Sequence, residues 1–234
     1  MLHWQDWLYP ARCAGCGQPG DLICAECRRT VPRLPALACP TCLHEMEPDG
    51  VCAHCRQAPN GLDGLRAVGR YVTPRADEAH SPFADIIHAY KYAGVHALAA
   101  PLGDWLAASL RAAPVPVTVI VPLPSHPRRV AERGYDHIAL LTRRVALALN
   151  LPYVDHWLYR VRHTASQAGN KLSPTERRAN VQGAFVARPI PPDSHLLLVD
   201  DVYTTGATMA ECAQTLRAAG ATSIWGAVLG CVAH

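Results

Sequence analysis

LLLVDDVYTTGATM, residues 196–209, is the stretch that says most about how this chain folds. Leu196, Leu197, Leu198 and Val199 make a short unbroken apolar run, the pattern of a strand buried on both faces of a parallel sheet. The acidic pair Asp200-Asp201 follows, and then Thr204, Thr205, Gly206, Ala207 and Thr208. The continuation MAECAQTLRAAG reads as a helix closed by Gly220. A strand, a Gly/Thr loop and a helix N-terminus bring free backbone N–H groups and a positive dipole end to one spot, which suits a phosphate. Gly206 lets the backbone approach a ligand closely, and the Thr hydroxyls add donors. Asp200 and Asp201 can accept hydrogen bonds from vicinal sugar hydroxyls, as an acidic residue does at a ribose in other nucleotide-binding folds. The predicted ligand is a phosphate carried on a ribose.

A chain of 234 residues, half of them apolar, has ample material for a core, in one large domain or in one medium domain with a small partner. No stretch resembles an unbroken membrane span. The N-terminal MLHWQDWLYPARC lacks a basic start followed by a long apolar run, so no signal peptide is expected. Its Trp4, Trp7, Leu8 and Tyr9 are expected to dock on the domain surface. The net charge of +3 is unevenly spread. Residues 125–180 hold ten Arg or Lys against four Asp or Glu, and twenty of the 22 basic residues are Arg. Arg offers a planar fork for phosphate oxygens, so this region is consistent with a polyanion partner.

Eight of the ten cysteines fall in four Cys-x-x-Cys pairs near the N-terminus, the arithmetic of metal rather than of a disulfide framework. A reducing cytoplasm is the expected compartment, which includes the inner face of the cytoplasmic membrane. Cys13, Cys16, Cys24 and Cys27 form one quartet, and Cys39, Cys42, Cys52 and Cys55 a second. Two such turns facing across a short hairpin complete tetrahedral zinc, and four thiolates leave no open position, so both ions are expected to be structural. Interleaved pairing between the quartets has the same signature and stays open. His44 and His54 lie within the second quartet and can substitute for a ligand. So short a segment with few large apolar residues is not expected to fold without metal.

Turn residues in PNGLDGL, residues 59–65, mark the boundary between a zinc-binding domain, 1–62, and a second domain, 63–234. Beyond it RAVGRYV reads as a strand and FADIIHAYKYAGV as an amphipathic helix. HALAAPLGDWLAASLRAA continues helically, and VTVIV is a second parallel-type strand. RRVAERGYDHIALLTRRVALALN is helix-rich and ends at Asn150. Further strands are expected near 153–158 and in GAFVA, LLLVDD and SIWGAVLGCV. This alternation predicts an α/β fold, a parallel sheet with helices on both faces and ligands at the carboxyl ends of its strands. Cys212 and Cys231 are expected in the core.

A second loop belongs to that end of the sheet. VPLPSHPRR, residues 121–129, is constrained by Pro122 and Pro124, and its Arg128 and Arg129, with Arg133, can face a polyanion. The plainer reading is a solvated helix start. RHTASQAGNKLSPTERRANVQGAF, residues 162–185, is long and polar, which marks functional or mobile loops. Gln167, Lys171, Arg177, Arg178 and Asn180 supply donors there. Ser173, Pro174 and Glu176 are accounted for by helix-start chemistry alone.

The run around Asp200 resembles the motif of type I phosphoribosyltransferases that binds PRPP, 5-phosphoribosyl 1-pyrophosphate. That resemblance implies a phosphoribosyltransferase-like sheet, with Thr204, Thr205, Gly206, Ala207 and Thr208 around the 5-phosphate and Asp200 and Asp201 at the ribose hydroxyls. It also implies a pyrophosphate loop at Pro124 and Arg128, and Mg²⁺ bound with PRPP. Purine-salvage members carry a general-base aspartate where this chain has Thr204; orotate-type members have Thr there and use a mobile loop. The whole layout is similar to the ComF family. A double zinc ribbon precedes a KY helix, a VPLP loop, an RGY-D-H segment and Q-x-G-x-x-LS-x-x-ERR-x-NV-x-GAF before LLLVDDV-x-TTGAT. Asp136 and His137 stand where that family commonly has Asn-Gln, and His137 reads as a helix-face residue.

The phosphoribosyl pocket and the Arg-rich stretch, with the competence role that the ComF resemblance implies, point to a PRPP-binding accessory protein that contacts single-stranded DNA through Arg128, Arg129, Arg133, Arg177 and Arg178. It would assist uptake of transforming DNA together with a helicase and other competence proteins. A catalytic transferase, with Asp200, Asp201 and Lys171 as catalytic residues acting on an unidentified amine or base, is the alternative. A PRPP-responsive regulator without catalysis is the third.

Overall fold

A computed structural model describes residues 11–46, 50–72, 81–162 and 174–232. The expectations for Trp4, Trp7, Leu8, Tyr9, Gln167, Lys171 and Ser173 lie outside these residues. Among the described residues, two short helices, α1 (Ala25–Arg29) and α2 (Ala53–Gln57), belong to the cysteine region. Then follow β1 (Gly64–Arg70), α3 (Pro82–Tyr92), α4 (Ala99–Ala112), β2 (Val119–Pro122), α5 (Pro127–Arg133) and α6 (His137–Leu149). The chain continues through β3 (Leu158–Arg160), α7 (Pro174–Val181), β4 (Phe185–Ala187), β5 (His195–Tyr203), α8 (Ala207–Ala218) and β6 (Ser223–Cys231).

Four strands form a wholly parallel sheet in the order β1-β6-β5-β2. The apolar run of β5 divides its side chains by the two-residue period of a strand. Leu196 and Leu198 enter one core with Val119, Val121, Met209, Leu216, Ile224 and Val228. Leu197 and Val199 enter the other with Phe83, Ile86, Leu102, Leu106, Leu141 and Val145. Helices α3, α4 and α6 therefore cover one face, and α8 with β3, β4 and α7 covers the other. Cys212 and Cys231 are fully buried in the second of these layers, as expected for core cysteines.

Local signals set the element ends. Ser81 caps α3 by accepting from the Ala84 N–H, with Pro82 at its first turn. The helix-rich segment 128–150 is two helices, because Gly134 ends α5 in the left-handed region (φ 83°) and Asp136 begins α6 by accepting from the Ile138 and Ala139 amides. Asn150 closes α6 with φ 55°.

Two expectations need correction. The strands foreseen near 153–158 and at GAFVA are not members of the main sheet. Tyr153 makes one isolated parallel bridge to Ile120, while β3 and β4 form a separate antiparallel ribbon. The reason is topological: β4 returns towards β3 and prolongs that ladder through Val161 N–H to Ala184 O and Arg188 N–H to Trp157 O. Also, β5 does not stop at the acidic pair. It continues four residues past Val199, with Asp200, Val202 and Tyr203 all in register with β6.

The cysteine region covers the free side of β1. Pro40 O accepts from the Leu65 amide at 2.7 Å and Pro32 O from the Arg70 amide at 2.8 Å, so backbone donors on the sheet edge are satisfied. The turn-rich stretch at 59–65 is tied down as well. Asp63 accepts from the Ile224 amide at 2.6 Å and from Arg217 at 2.7 Å. No helix among the described residues is long and apolar enough to cross a membrane.

Candidate functional site

The four sulfurs of Cys13, Cys16, Cys24 and Cys27 lie within 4.8 Å of one another, and so do those of Cys39, Cys42, Cys52 and Cys55. Pairing is thus within each quartet. Tetrahedral zinc with sulfur at about 2.3 Å requires neighbouring sulfurs about 3.8 Å apart. The observed separations, 3.7 Å for Cys16–Cys24 and 3.6 Å for Cys42–Cys52, fit that ion. Backbone amides of Cys24, Cys27, Cys52 and Cys55 point at the sulfurs of Cys13, Cys24, Cys39 and Cys52 at 3.4–3.5 Å, the support that thiolate ligands need. His44 and His54 stand outside both clusters, and His54 Nε2 meets Arg178 at 2.8 Å. Two closed four-sulfur sites fit structural zinc.

At the carboxyl end of β5 the chain turns through Thr204 and Thr205 into α8. Gly206 is the N-cap, in the left-handed region at φ 72° and without a side-chain cap. The first-turn amides of a helix have no intrahelical acceptor, so this end is open to an anion. Beneath it lies the ring of Tyr203: a Cβ added at Gly206 would come within 2.1 Å of the Tyr203 hydroxyl. Thr205 Oγ1 is buried and has no hydrogen-bond partner among the described residues.

The acidic pair divides into two unlike groups. Asp201 is buried, with Lys91 Nζ 3.0 Å from one oxygen and His137 Nε2 2.7 Å from the other. Burial alone would raise its pKa, but the Lys91 charge and the His137 hydrogen bond outweigh it and hold the carboxyl well below the usual range. Lys91 responds in kind, its ammonium favoured by Asp201 against the cost of burial. His137 is fixed from behind, its carbonyl accepting from the Tyr90 hydroxyl and its ring facing Arg133. Asp200 is only partly buried at the surface, yet burial and then the Asp201 charge push it up to about 7. One of its oxygens accepts from the Asp201 amide at 2.8 Å.

Asp200 and Asp201 look equivalent in the sequence. The structure gives Asp201 two protein partners and leaves Asp200 as the carboxylate nearer solvent. It also reveals residues that the motif did not announce. Lys91, the lysine of the KY helix, is 110 positions away from the aspartate it pairs with. His137, expected on a helix face, is buried against Asp201. Arg160 at the end of β3 feels the charges of Asp200 and Arg129, and burial and then Arg129 lower its pKa. A departure of the RGY-D-H segment from the usual Asn-Gln was the one sequence signal near His137.

The other predicted cations are distributed differently. Arg128 is exposed and pairs with Glu132 at 3.0 Å, one turn along α5. Arg133 is partly buried, its guanidinium over the Tyr92 ring at 5.5 Å. Arg178 leans on His54 of the second cysteine quartet. Pro124 follows β2 at the same end of the sheet as Asp200. Lys171 lies outside the described residues. A cleft of about 520 Å³ runs between the second quartet and the open end of α8, lined by His54, Asn60, Arg178, Tyr203, Thr205 and Gly206 among others.

The double zinc ribbon domain family matches residues 4–56. Over 226 residues the chain is 33% identical to the DNA utilization protein YhgH of Salmonella typhi, covering 92% of this chain and 94% of that one. It is 28% identical over 216 residues to competence protein F of Haemophilus influenzae, covering 87% and 89%. Among solved structures, the glutamine phosphoribosylpyrophosphate amidotransferase from B. subtilis aligns over 65% of this chain at 22% identity with a TM-score of 0.37. The aligned part is 28% of that enzyme, and the likeness concerns the fold alone. A relative 33% identical across nearly the whole length fixes the kinship: the chain belongs to the ComF family, which includes competence protein F and YhgH.

Proposed function

We propose that this protein binds PRPP or a related phosphoribosyl ligand as its Mg²⁺ complex, and does so while handling single-stranded DNA during uptake. The observation that carries the reading is the uncapped N-terminus of α8 at Gly206, three residues beyond a β5 that holds Asp200. Amides there take the 5-phosphate, and the Thr204, Thr205 and Thr208 hydroxyls supplement them. Asp200 takes the ribose hydroxyls and Mg²⁺, because Asp201 already serves Lys91 and His137. Asp201 is then a positioning residue that holds β5, α3 and α6 together under the sugar. The names of the relatives, DNA utilization and competence proteins, support the DNA side of the proposal.

A second reading, transfer of phosphoribose to an acceptor, draws on Arg160, which feels the charges of both Asp200 and Arg129. Cations at that place stabilise a leaving pyrophosphate as negative charge develops on it. Pyrophosphate release that requires an acceptor, and that disappears in Asp200→Asn, is the outcome expected of a transferase. Release from no member of a broad acceptor set leaves the binding reading alone.

For the DNA partner, anisotropy with a fluorescent oligonucleotide at several salt concentrations is the test. Arg128→Ala with Arg129→Ala should flatten the log–log salt slope by about 1.4, two phosphate contacts at about 0.7 each. A slope unchanged by the double substitution removes these arginines from the interface, and absent binding removes DNA from the proposal.

A further inference from the structure

The two zinc sites are alike in sequence but packed differently. Cys13 and Cys27 join the core beneath α3, α4 and α6. Cys39, Cys42 and Cys55 join the opposite core, the one that also contains Tyr203 and Met209 beside the phosphate-type loop. A continuous line of contacts leads from the second quartet to that loop. Asn60 is buried and donates to Thr41 O, between Cys39 and Cys42, at 2.7 Å. The same amide nitrogen lies 3.3 Å from the Tyr203 hydroxyl, and Asn60 Oδ1 accepts from the Leu62 amide at 3.1 Å. The Tyr203 ring in turn fills the space under Gly206, where no side chain fits. A second strand of the same connection runs from Cys42 O to Cys231 Sγ at 3.6 Å, with the next residue's amide, Val232 N–H, bonded to Tyr203 O at 2.8 Å.

We propose that Asn60 and Tyr203 are positioning residues through which the second zinc knuckle, and not the first, sets the phosphate-binding loop. Asn60 sits where the turn-rich stretch at 59–65 otherwise reads as a linker. Its three hydrogen bonds are a physical reason for that residue at that place. The Tyr203 hydroxyl needs a partner because burial leaves it none from water. Fixing the phenol ring fixes the surface on which Gly206 and the first turn of α8 rest. Zinc loss at Cys39, Cys42, Cys52 and Cys55 frees Thr41, then Asn60, then the ring, and the amides lose their common aim. Coupling of this sort is reciprocal, so a phosphate held at the loop retains the second ion more tightly.

The inference rests on the phosphate reading of the loop, and ribose 5-phosphate is the probe for both. In zinc-loaded full-length protein, a chelator and an alkylating reagent are added together, and labelled cysteines are mapped by peptide mass spectrometry. Saturating ribose 5-phosphate is expected to slow labelling of Cys39, Cys42, Cys52 and Cys55 about fivefold while leaving the first quartet unchanged. Tyr203→Phe and Asn60→Ala should each retain two zinc ions by native mass spectrometry, lose that selective protection, and bind ribose 5-phosphate about five- to tenfold more weakly. If one variant fails to load zinc, the other carries the test. Protection of both quartets alike, or protection that survives both substitutions, overturns the coupling and leaves phosphate binding standing. Absence of any ribose 5-phosphate heat with the unsubstituted protein overturns the phosphate reading and the coupling with it.

Discussion

Asp200 and Asp201 are neighbours in the chain and opposites in chemistry. Asp200 keeps its proton up to about 7 in the folded protein against an ordinary 3.8, so the folded state binds more protons between those values. This residue therefore makes stability fall as pH rises from about 4 to about 7. Asp201, held low, contributes stability that is present above its ordinary pKa and lost as pH falls through its lowered value. Since a carboxylate, not a carboxylic acid, accepts sugar hydroxyls and holds Mg²⁺, affinity for PRPP should rise about tenfold from pH 6 to pH 8. Calorimetry across that range checks it, and Asp200→Asn should show a much flatter profile. Asp201→Asn leaves the Lys91 ammonium buried without its counter-charge and should cost about 3 kcal/mol in urea unfolding. Adding Lys91→Met should recover part of that loss; additive losses would mean that the two residues do not act as a pair.

At the scale of elements, the β5–turn–α8 unit is where sequence and structure agree most closely. An apolar run, an acidic pair, a Thr-rich turn and a C-terminal glycine are local signals, and Gly206 and Gly220 both take positive φ. Gly206→Ala should lower the unfolding midpoint by several degrees, about 1–2 kcal/mol, and abolish phosphate binding, because Tyr203 occupies the Cβ position. An alanine variant that melts and binds normally would show that the turn is not strained against the ring. Less was legible where contacts are remote. The KY motif names Lys91 but gives no hint of Asp201, since pairing across 110 residues depends on α3 packing beside β5. The antiparallel β3–β4 ribbon is not legible in the sequence because periodicity reports burial, not the direction of a partner strand. Quartet pairing, ambiguous by spacing, was settled by which sulfurs the hairpins bring together.

For the whole molecule, the zinc-binding region acts as a cover as well as a module. It satisfies amides along β1 and contributes cysteines to both cores, so metal and sheet are expected to fail together. Chelation should lower the unfolding midpoint by at least about 10 °C and promote edge-to-edge aggregation, seen by light scattering; a stable, monodisperse apo form would refute that dependence. The proposed function depends on one pocket, in which α8 is to grip a phosphate and Asp200 a pentose. Its most direct test is isothermal titration of PRPP into the zinc-loaded protein at pH 7.5 with and without Mg²⁺. Saturable, magnesium-dependent heat with one site per chain, lost in Gly206→Ala, is the expected result. No heat at millimolar PRPP from protein shown to be folded and to carry both zinc ions would contradict it.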